Sequence, residues 1–148
     1  MDKTKVHQAC LKALEAKIDI AKKGMEEAQA SANNETKSSA GDKYETGRAM
    51  SQRERDLHAR QLAELMNIKK TLSSIDPSRK CPKVELGALV ETESTIFYIA
   101  GSLGALKVEE TQVMVISAIS PIAQLILDQK KGFAFEWMKK SNSLLAIH

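Results

Sequence analysis

The sequence predicts an α+β protein: an N-terminal antiparallel helical hairpin, or coiled coil, followed by a small antiparallel β domain with one short helix. Two observations support this prediction. Apolar or small residues recur every three or four positions over residues 11–32 and again over 65–75, which is the helical period, and Met50 and Leu57 extend the second pattern more weakly. Beyond Pro77 and Pro82 the pattern changes to short runs rich in Val, Ile and Tyr, and such runs are typical of strands.

Composition limits the classes of function. A chain of 148 residues forms one domain or two small ones, and 43% hydrophobic with 28% charged residues is ordinary for a soluble protein. The net charge of only +3 does not indicate binding driven by phosphate neutralisation. The sequence holds neither a membrane-spanning apolar run nor a signal peptide. Because Cys10 and Cys81 do not make a disulfide framework, a cytoplasmic location is expected.

The first helix is predicted over residues 3–32. Its apolar seam becomes smaller toward the C-terminal end, which lets a partner helix approach closely there. The predicted contact residues are Leu11, Leu14, Ile18, Ala21, Met25, Ala28 and Ala32. Asn33 and Asn34 are expected to end the helix, because Asn tolerates the left-handed conformation found at helix ends.

A short polar connection and an acidic pair follow. Residues 33–41 are small and polar and predict a connection in which Gly41 can turn sharply. Asp42 and Glu45 then have capping-box spacing, in which each side chain can bond a free backbone N–H of the first helical turn. Helix capping is therefore one interpretation of this pair, and it requires no further function.

The second helix is predicted over residues 43–75 and ends at Asp76-Pro77. Its expected seam contains Met50, Leu57, Gln61, Leu65, Ile68, Leu72 and Ile75. Two helices of similar length, about 45 Å each at 1.5 Å per residue, joined by a short connection, favour an antiparallel hairpin. Residues 1–76 are thus expected to form the hairpin, with its tip at about 33–45.

The remaining residues predict a linker over 77–83 and a β domain over 84–148. Short antiparallel strands are expected at 84–91, 95–100, 108, 111–117, 133–138 and 144–147. Gly101 to Gly104 is interpreted as a hairpin turn. Ser120-Pro121 predicts the start of a short helix over 122–128, because Pro is favoured at the first helical position.

Taken together, these features resemble the bacterial Gre transcript-cleavage factors, which enter the secondary channel of RNA polymerase. The resemblance covers nearly the whole chain. It rests on the order of hairpin, linker and β domain, on Gly41-Asp42-x-x-Glu45 where the connection meets the second helix, and on Ser120-Pro121-Ile122-Ala123 opening a late helix.

The resemblance implies an FKBP-like β domain and a role as a transcription elongation factor. Such a protein is not itself an enzyme, but it stimulates the endonucleolytic activity of RNA polymerase on backtracked RNA. The implied partners are RNA polymerase and the nascent RNA 3′ end, with DNA only an indirect partner. No membrane partner is expected, and the protein is expected to be a monomer.

The resemblance also implies roles for individual residues. Asp42 and Glu45 would both be catalytic and would help to hold a Mg²⁺ ion shared with the polymerase, and Glu45 would also orient or deprotonate the attacking water. No Mg²⁺ is expected on the isolated protein, because two exposed carboxylates alone are a weak site. Contacts at the tip are assigned to Lys43, Tyr44 and Arg48, and docking on the polymerase to Ser120, Pro121 and Ile122.

The sequence departs from the family beside the acidic pair, and this leaves alternatives open. The family continues Asn-x-x-Tyr after its Glu, whereas this chain continues Thr46-Gly47-Arg48 and carries its tyrosine at Tyr44. One alternative is a regulator that binds the same channel without cleavage. A prolyl isomerase or chaperone is another, although this half of the chain offers few rings to line a proline pocket: Phe97, Tyr98, Phe133, Phe135 and Trp137.

Overall fold

The computed structural model describes residues 1–36 and 41–148, without the side chains of residues 35, 36 and 41–45. The helices are α1 (Lys3–Thr36), α2 (Gly41–Ser73) and α3 (Pro121–Ile126). The strands are β1 (Leu89–Thr92), β2 (Ile96–Ile99), β3 (Gly104–Val108), β4 (Thr111–Ile116), β5 (Ala134–Trp137) and β6 (Lys140–Ile147). Two long helices followed by a six-stranded sheet and a short helix confirm the predicted α+β fold class.

The chain forms two compact units. The helical unit is Leu14–Asn67, and the sheet unit comprises Met1–Ala13 and Ile68–His148. The sheet unit therefore contains the first turns of α1 and the last turns of α2 in addition to every strand. No helix in the described part of the chain combines the length and the apolar composition needed to cross a membrane.

In the helical unit, α1 and α2 pack antiparallel. Gly24 of α1 lies against the His58 ring of α2. Lys17, seven residues earlier in α1, shares a cleft with Leu65, seven residues later in α2. The predicted seam of α1 is confirmed at Leu14, Ile18, Ala21, Ala28 and Ala32, which are buried, whereas Leu11 and Met25 are only half-buried.

The predicted seam of α2 is wrong in its N-terminal half. Met50 is 61% exposed and Leu57 is 47% exposed, whereas the neighbouring residues Ser51 and His58 are half-buried. The contact side is displaced by one residue because Gly24, which has no side chain, leaves room for the His58 ring. This part of α2 consequently faces α1 with small and polar side chains.

The C-terminal end of α1 and the N-terminal end of α2 both differ from the prediction. α1 continues through Asn33 and Asn34 to Thr36, and the Gln29 side-chain amide donates to Asn33 Oδ1 at 3.2 Å. Such a pair four residues apart supports helix and offsets the modest helical preference of Asn. α2 begins at Gly41, so Asp42 is a residue of the helix and not the cap before it.

The sheet has the strand order β3-β4-β2-β1-β6-β5. Four of its five pairings are antiparallel, whereas β2 and β4 are parallel, with Tyr98 opposite Val115. The expectation of a wholly antiparallel sheet is therefore wrong at this pair. The predicted hairpin turn at Gly101 to Gly104 is wrong for the same reason, since β4 lies between β2 and β3.

Gly101 has a packing role in this crossover connection. A Cβ atom at Gly101 would lie 2.7 Å from Cγ2 of Ile68 at the C-terminal end of α2. The connection thus passes close to the helix because residue 101 has no side chain.

The strand predicted from residue 84 begins only at Leu89. Val84 instead exchanges backbone hydrogen bonds with the loop after α3, accepting from Asp128 N–H at 2.8 Å and donating to the Gln129 carbonyl at 2.9 Å.

The sheet buries side chains on both faces. One face forms a cluster with α3 that includes Val90, Phe97, Ile99, Ile122 and Ile126. Side chains on adjacent strand positions point to opposite faces, and buried Leu89, Tyr98, Val113 and Val115 occupy the other face. The first turns of α1 reach this second face, where His7 is hydrogen-bonded to Tyr98.

The β5–β6 turn has an unusual backbone. Trp137 pairs with Lys140, so Met138 and Lys139 form a two-residue turn, and both have positive φ, 51° and 63°. This geometry matches the type I′ turn, which favours Asn-Gly. A left-handed conformation costs roughly 1–2 kcal/mol for a residue with a full side chain.

Candidate functional site

The acidic pair belongs to the first two turns of α2. Asp42 and Glu45 follow directly on the start of the helix at Gly41, next to the connection from Thr36. The side chains of Asp42, Lys43, Tyr44 and Glu45 lie outside the described residues. The antiparallel packing of α1 and α2 puts these positions at one end of the helical unit, not along its middle.

The residues after the acidic pair continue α2. Thr46 and Arg48 are exposed, and Gly47 is half-buried. Arg48 is the one predicted tip residue whose side chain is described, and its exposure makes it accessible to a partner. Gly47 lies within a helix, where Gly costs about 1 kcal/mol relative to Ala, so stability alone does not account for it.

Farther from the acidic pair, α1 and α2 are in contact at Gly24 and His58. Gly24 allows the His58 ring to lie directly on the α1 backbone, and a Cβ atom at residue 24 would be 2.5 Å from the ring. The buried Nδ1 of His58 has no hydrogen-bond partner within the described chain. A shallow cleft of about 280 Å³ lies beside this ring, with Ile20 and Leu65 among its walls. Sequence reasoning assigned His58 no specific contact.

The start of α3 differs in detail from its predicted role. Ser120 precedes Pro121 as expected, but its hydroxyl donates to the Ser117 carbonyl at 2.7 Å and does not cap the helix. The Gln124 side-chain amide closes the same turn by donating to the Ala118 carbonyl at 2.8 Å. Of the three predicted docking residues, Pro121 is exposed and Ser120 half-buried, whereas Ile122 is part of the core.

An exposed apolar patch surrounds Pro121. Ile119 is 83% exposed and Leu125 is 40% exposed. Pro121 and Leu125 are four residues apart on α3, and residues at this spacing are neighbours on one helix face. Ile119, Pro121 and Leu125 are thus more accessible to solvent than the predicted docking residue Ile122. The helical spacing of residues 121 and 125 was the available signal for this patch.

A buried polar network holds the first turn of α1 within the sheet unit. The Lys3 ammonium donates to the carbonyl oxygens of Arg79 at 2.6 Å and His148 at 3.1 Å. His7 Nδ1 and the Tyr98 hydroxyl are hydrogen-bonded at 2.7 Å. Burial, and secondarily the Lys3 charge, lower the pKa of His7 below 6.5, and burial raises the pKa of Tyr98.

The two cysteines are free thiols in the sheet unit, and both are buried. Burial raises the pKa of Cys10 to about 12, and it also raises the pKa of Cys81. A thiol with a raised pKa is a poor nucleophile because the thiolate is the reactive form. In the described part of the chain, no group of three or more His, Cys, Asp or Glu residues could hold a metal ion.

Most aromatic residues of the sheet unit are part of one core and do not line an open pocket in the described structure: Phe97, Phe133, Phe135 and Trp137 belong to or pack against the cluster on the α3 face. Phe97 belongs to the core on the α3 face, whereas Tyr98 is buried on the opposite face. Phe133 stacks on Phe135 with ring centroids 6.3 Å apart, and both contact the core cluster. This arrangement gives no support to a proline-binding pocket.

The chain matches no profile of a known protein family and no curated protein sequence. It is similar to a solved structure described as that of the transcription factor Gfh1. The two chains are 19% identical, the match covers 95% of this chain and 94% of the other, and the TM-score is 0.39.

Proposed function

We propose that this protein is a transcription elongation factor of the Gre type. In this proposal its helical unit enters the secondary channel of RNA polymerase and stimulates Mg²⁺-dependent cleavage of backtracked RNA. The observation that supports it most is the position of Asp42 and Glu45. They belong to the first two turns of α2, directly after the connection between two antiparallel helices.

The dimensions of the helical unit suit insertion into a narrow channel, with the acidic pair near the inserted end. The 23 residues of α1 from Leu14 to Thr36 extend about 33 Å at 1.5 Å per residue. Two packed helices are only about 20 Å across. Small residues on the facing side, such as Ala28 and Ala32, keep the helices close toward the acidic end. A long, thin element of this kind can reach a recessed centre that a globular domain cannot enter.

The donor set suits Mg²⁺ as a shared ion. Carboxylate oxygens are the hard ligands that Mg²⁺ prefers, and Mg²⁺ usually takes only one or two of them from a protein. Residues three positions apart on a helix are neighbours on one face. In a two-metal hydrolysis one Mg²⁺ would activate the attacking water and the other would stabilise the leaving oxygen. Asp42 would act as a ligand, and Glu45 would position or deprotonate the water.

The sheet unit would dock outside the channel. Its accessible apolar patch, Ile119, Pro121 and Leu125, is the proposed contact surface. The Lys3 and His7 bonds hold the start of α1 firmly to the sheet.

A transcript-cleavage assay tests the proposal. Purified RNA polymerase is stalled and backtracked, and release of short 3′ RNA fragments is measured with and without the protein. The unaltered protein should accelerate release, and Asp42→Asn or Glu45→Gln should lose most of that stimulation while still competing with the unaltered protein for the complex. The protein without polymerase should show no nuclease activity. Full stimulation by both variants would remove these residues from the mechanism.

A non-cleaving regulator of the same channel is the second candidate. It is favoured by Thr46-Gly47-Arg48, where the resembling family has Asn-x-x-Tyr. Such a regulator would slow nucleotide addition and release no fragment, so the same assay distinguishes the two functions.

A further inference from the structure

The tip of the β5–β6 hairpin, residues 137–140, exposes an apolar side chain that no role described above uses. Met138 is 79% exposed, although Met is usually a buried residue. Its left-handed backbone, together with that of Lys139, forms a turn for which Asn-Gly is the favoured sequence. Met138-Lys139 is therefore a less stable sequence for this turn than Asn-Gly would be, and it exposes an apolar side chain.

The other left-handed residues of the sheet unit have partners inside the molecule. Glu109 in the β3–β4 turn accepts from Lys5 at 2.8 Å, and Asp128 after α3 accepts from Lys83 at 2.8 Å. Met138 projects from its turn with no such contact among the described residues. Its conformation is thus not explained by an interaction within this chain.

The charge beside Met138 is positive. Lys139 and Lys140 are exposed, and neither takes part in an ion pair within the described chain. An exposed apolar side chain flanked by two unpaired lysines is complementary to an acidic surface that contains an apolar pocket. A protein surface fits this description better than nucleic acid, because Trp137, the aromatic residue of the tip, is half-buried against the core cluster and Met138 has no ring on which a base could stack.

We infer that the hairpin tip is a second docking element of the sheet unit, with Met138 as its anchor and Lys139 and Lys140 as its charged border. The occupant is an acidic surface of RNA polymerase that carries an apolar pocket, so the inference rests on the proposed function. The tip would add to the patch around Pro121, and two separated contacts would fix the orientation of the sheet unit where one contact would not.

The decisive variant is Met138→Asn with Lys139→Gly. It installs the favoured turn sequence, so the unfolding midpoint should rise, while the anchor and one charge are removed. Affinity of the full chain for purified RNA polymerase should fall about tenfold or more, as when an interface anchor is truncated. A rise in stability with a loss of affinity cannot come from damage to the fold.

Two further variants complete the test. Met138→Ala keeps Lys139 and should lower affinity on its own, which covers the case in which the double variant folds poorly. Lys130→Glu with Lys131→Glu makes a larger change of charge at the opposite end of β5, and affinity should stay within about threefold, as for a charge outside the interface.

The possible outcomes are distinct. If the unaltered protein binds polymerase and both tip variants bind equally well, the inference is wrong and the proposed function stands. If the unaltered protein does not bind polymerase, both are wrong. If the tip variants instead lose binding to a single-stranded RNA oligonucleotide in the absence of polymerase, the tip is a nucleic-acid contact and the inference is overturned.

Discussion

Substituting Gly101 tests the packing of α2 on the sheet unit. In Gly101→Ala the new Cβ would lie 2.7 Å from Ile68 Cγ2 and 3.5 Å from two other atoms of that side chain. Ile is β-branched and holds one rotamer in a helix, so the contact is relieved only by moving the helix or the connection. Overpacking of this kind lowers the free energy of unfolding by about 1–3 kcal/mol. Replacing Gly by Ala raises it by about 0.4–1 kcal/mol, because the unfolded chain then has less conformational freedom to lose. The net loss should be about 1–2 kcal/mol.

Urea unfolding measures this loss. Trp137 is the single tryptophan and lies in β5, so its fluorescence reports on the sheet unit. Ser102→Ala, at the exposed neighbouring residue, is the matched control and should change stability by less than about 0.5 kcal/mol. In an Ile68→Ala background, Gly101→Ala should become neutral or stabilising because the clash is gone. Equal stability of Gly101→Ala and the unaltered protein, or strict additivity of the two substitutions, would refute the reasoning.

Three further predictions concern the sheet unit. Tyr98→Phe leaves buried His7 without its 2.7 Å partner and should cost about 1–3 kcal/mol in urea unfolding; an unchanged midpoint would contradict that contact. Because burial and Lys3 lower the folded-state pKa of His7 below 6.5, its stabilisation is complete above pH 6.5 and is lost as pH falls through the folded-state pKa. His7→Gln should flatten that part of the stability profile, and an identical profile in the variant would exclude His7 as its source. Ile126→Ala empties a fully buried position and should cost about 2–5 kcal/mol in the same assay, whereas Leu125→Ala, on the exposed side of α3, should cost much less.

The helical period predicted the pairing of α1 and α2 but not the side that α2 presents. The α1 seam is correct because its apolar and small residues repeat without interruption. In α2 the apolar residues Met50 and Leu57 fit a seam, yet they are exposed. The reason is in the partner helix: Gly24 has no side chain and leaves room for the His58 ring, so that His58, and not Leu57, lies against α1.

The positions of the strands were easier to predict than the pairing between them. Local composition identified most of the strands, but it carries no information on which strands pair. Gly101 and Gly104 gave a turn signal of ordinary strength, and only the insertion of β4 beside β2 makes that segment a crossover connection. The positive φ at Gly104, 77°, shows that the glycine was needed for backbone conformation, though not for a hairpin.

The candidate sites, like the strands, were predicted only in part from the local sequence. The Asp42 and Glu45 positions came from motif spacing, and they remain a prediction because their side chains are not described. Ile119 and Leu125 were missed because an apolar residue between strands is normally assigned to the core. Residue 138 was predicted to end a strand, and the exposure of Met138 follows from the left-handed turn, which sequence alone does not specify.

A magnesium titration tests most directly whether Asp42 supplies a metal ligand to the polymerase. The rate of RNA cleavage in a backtracked complex is measured against Mg²⁺ concentration, with the protein at saturating concentration. Asp42→Asn should raise the Mg²⁺ concentration needed for half-maximal stimulation by about tenfold, which corresponds to ~1.4 kcal/mol, and excess Mg²⁺ should restore much of the rate. Glu54→Gln, the same loss of one carboxylate at an exposed residue farther along α2, should leave the Mg²⁺ dependence unchanged. An Asp42→Asn variant with the same Mg²⁺ dependence as the unaltered protein would contradict the account.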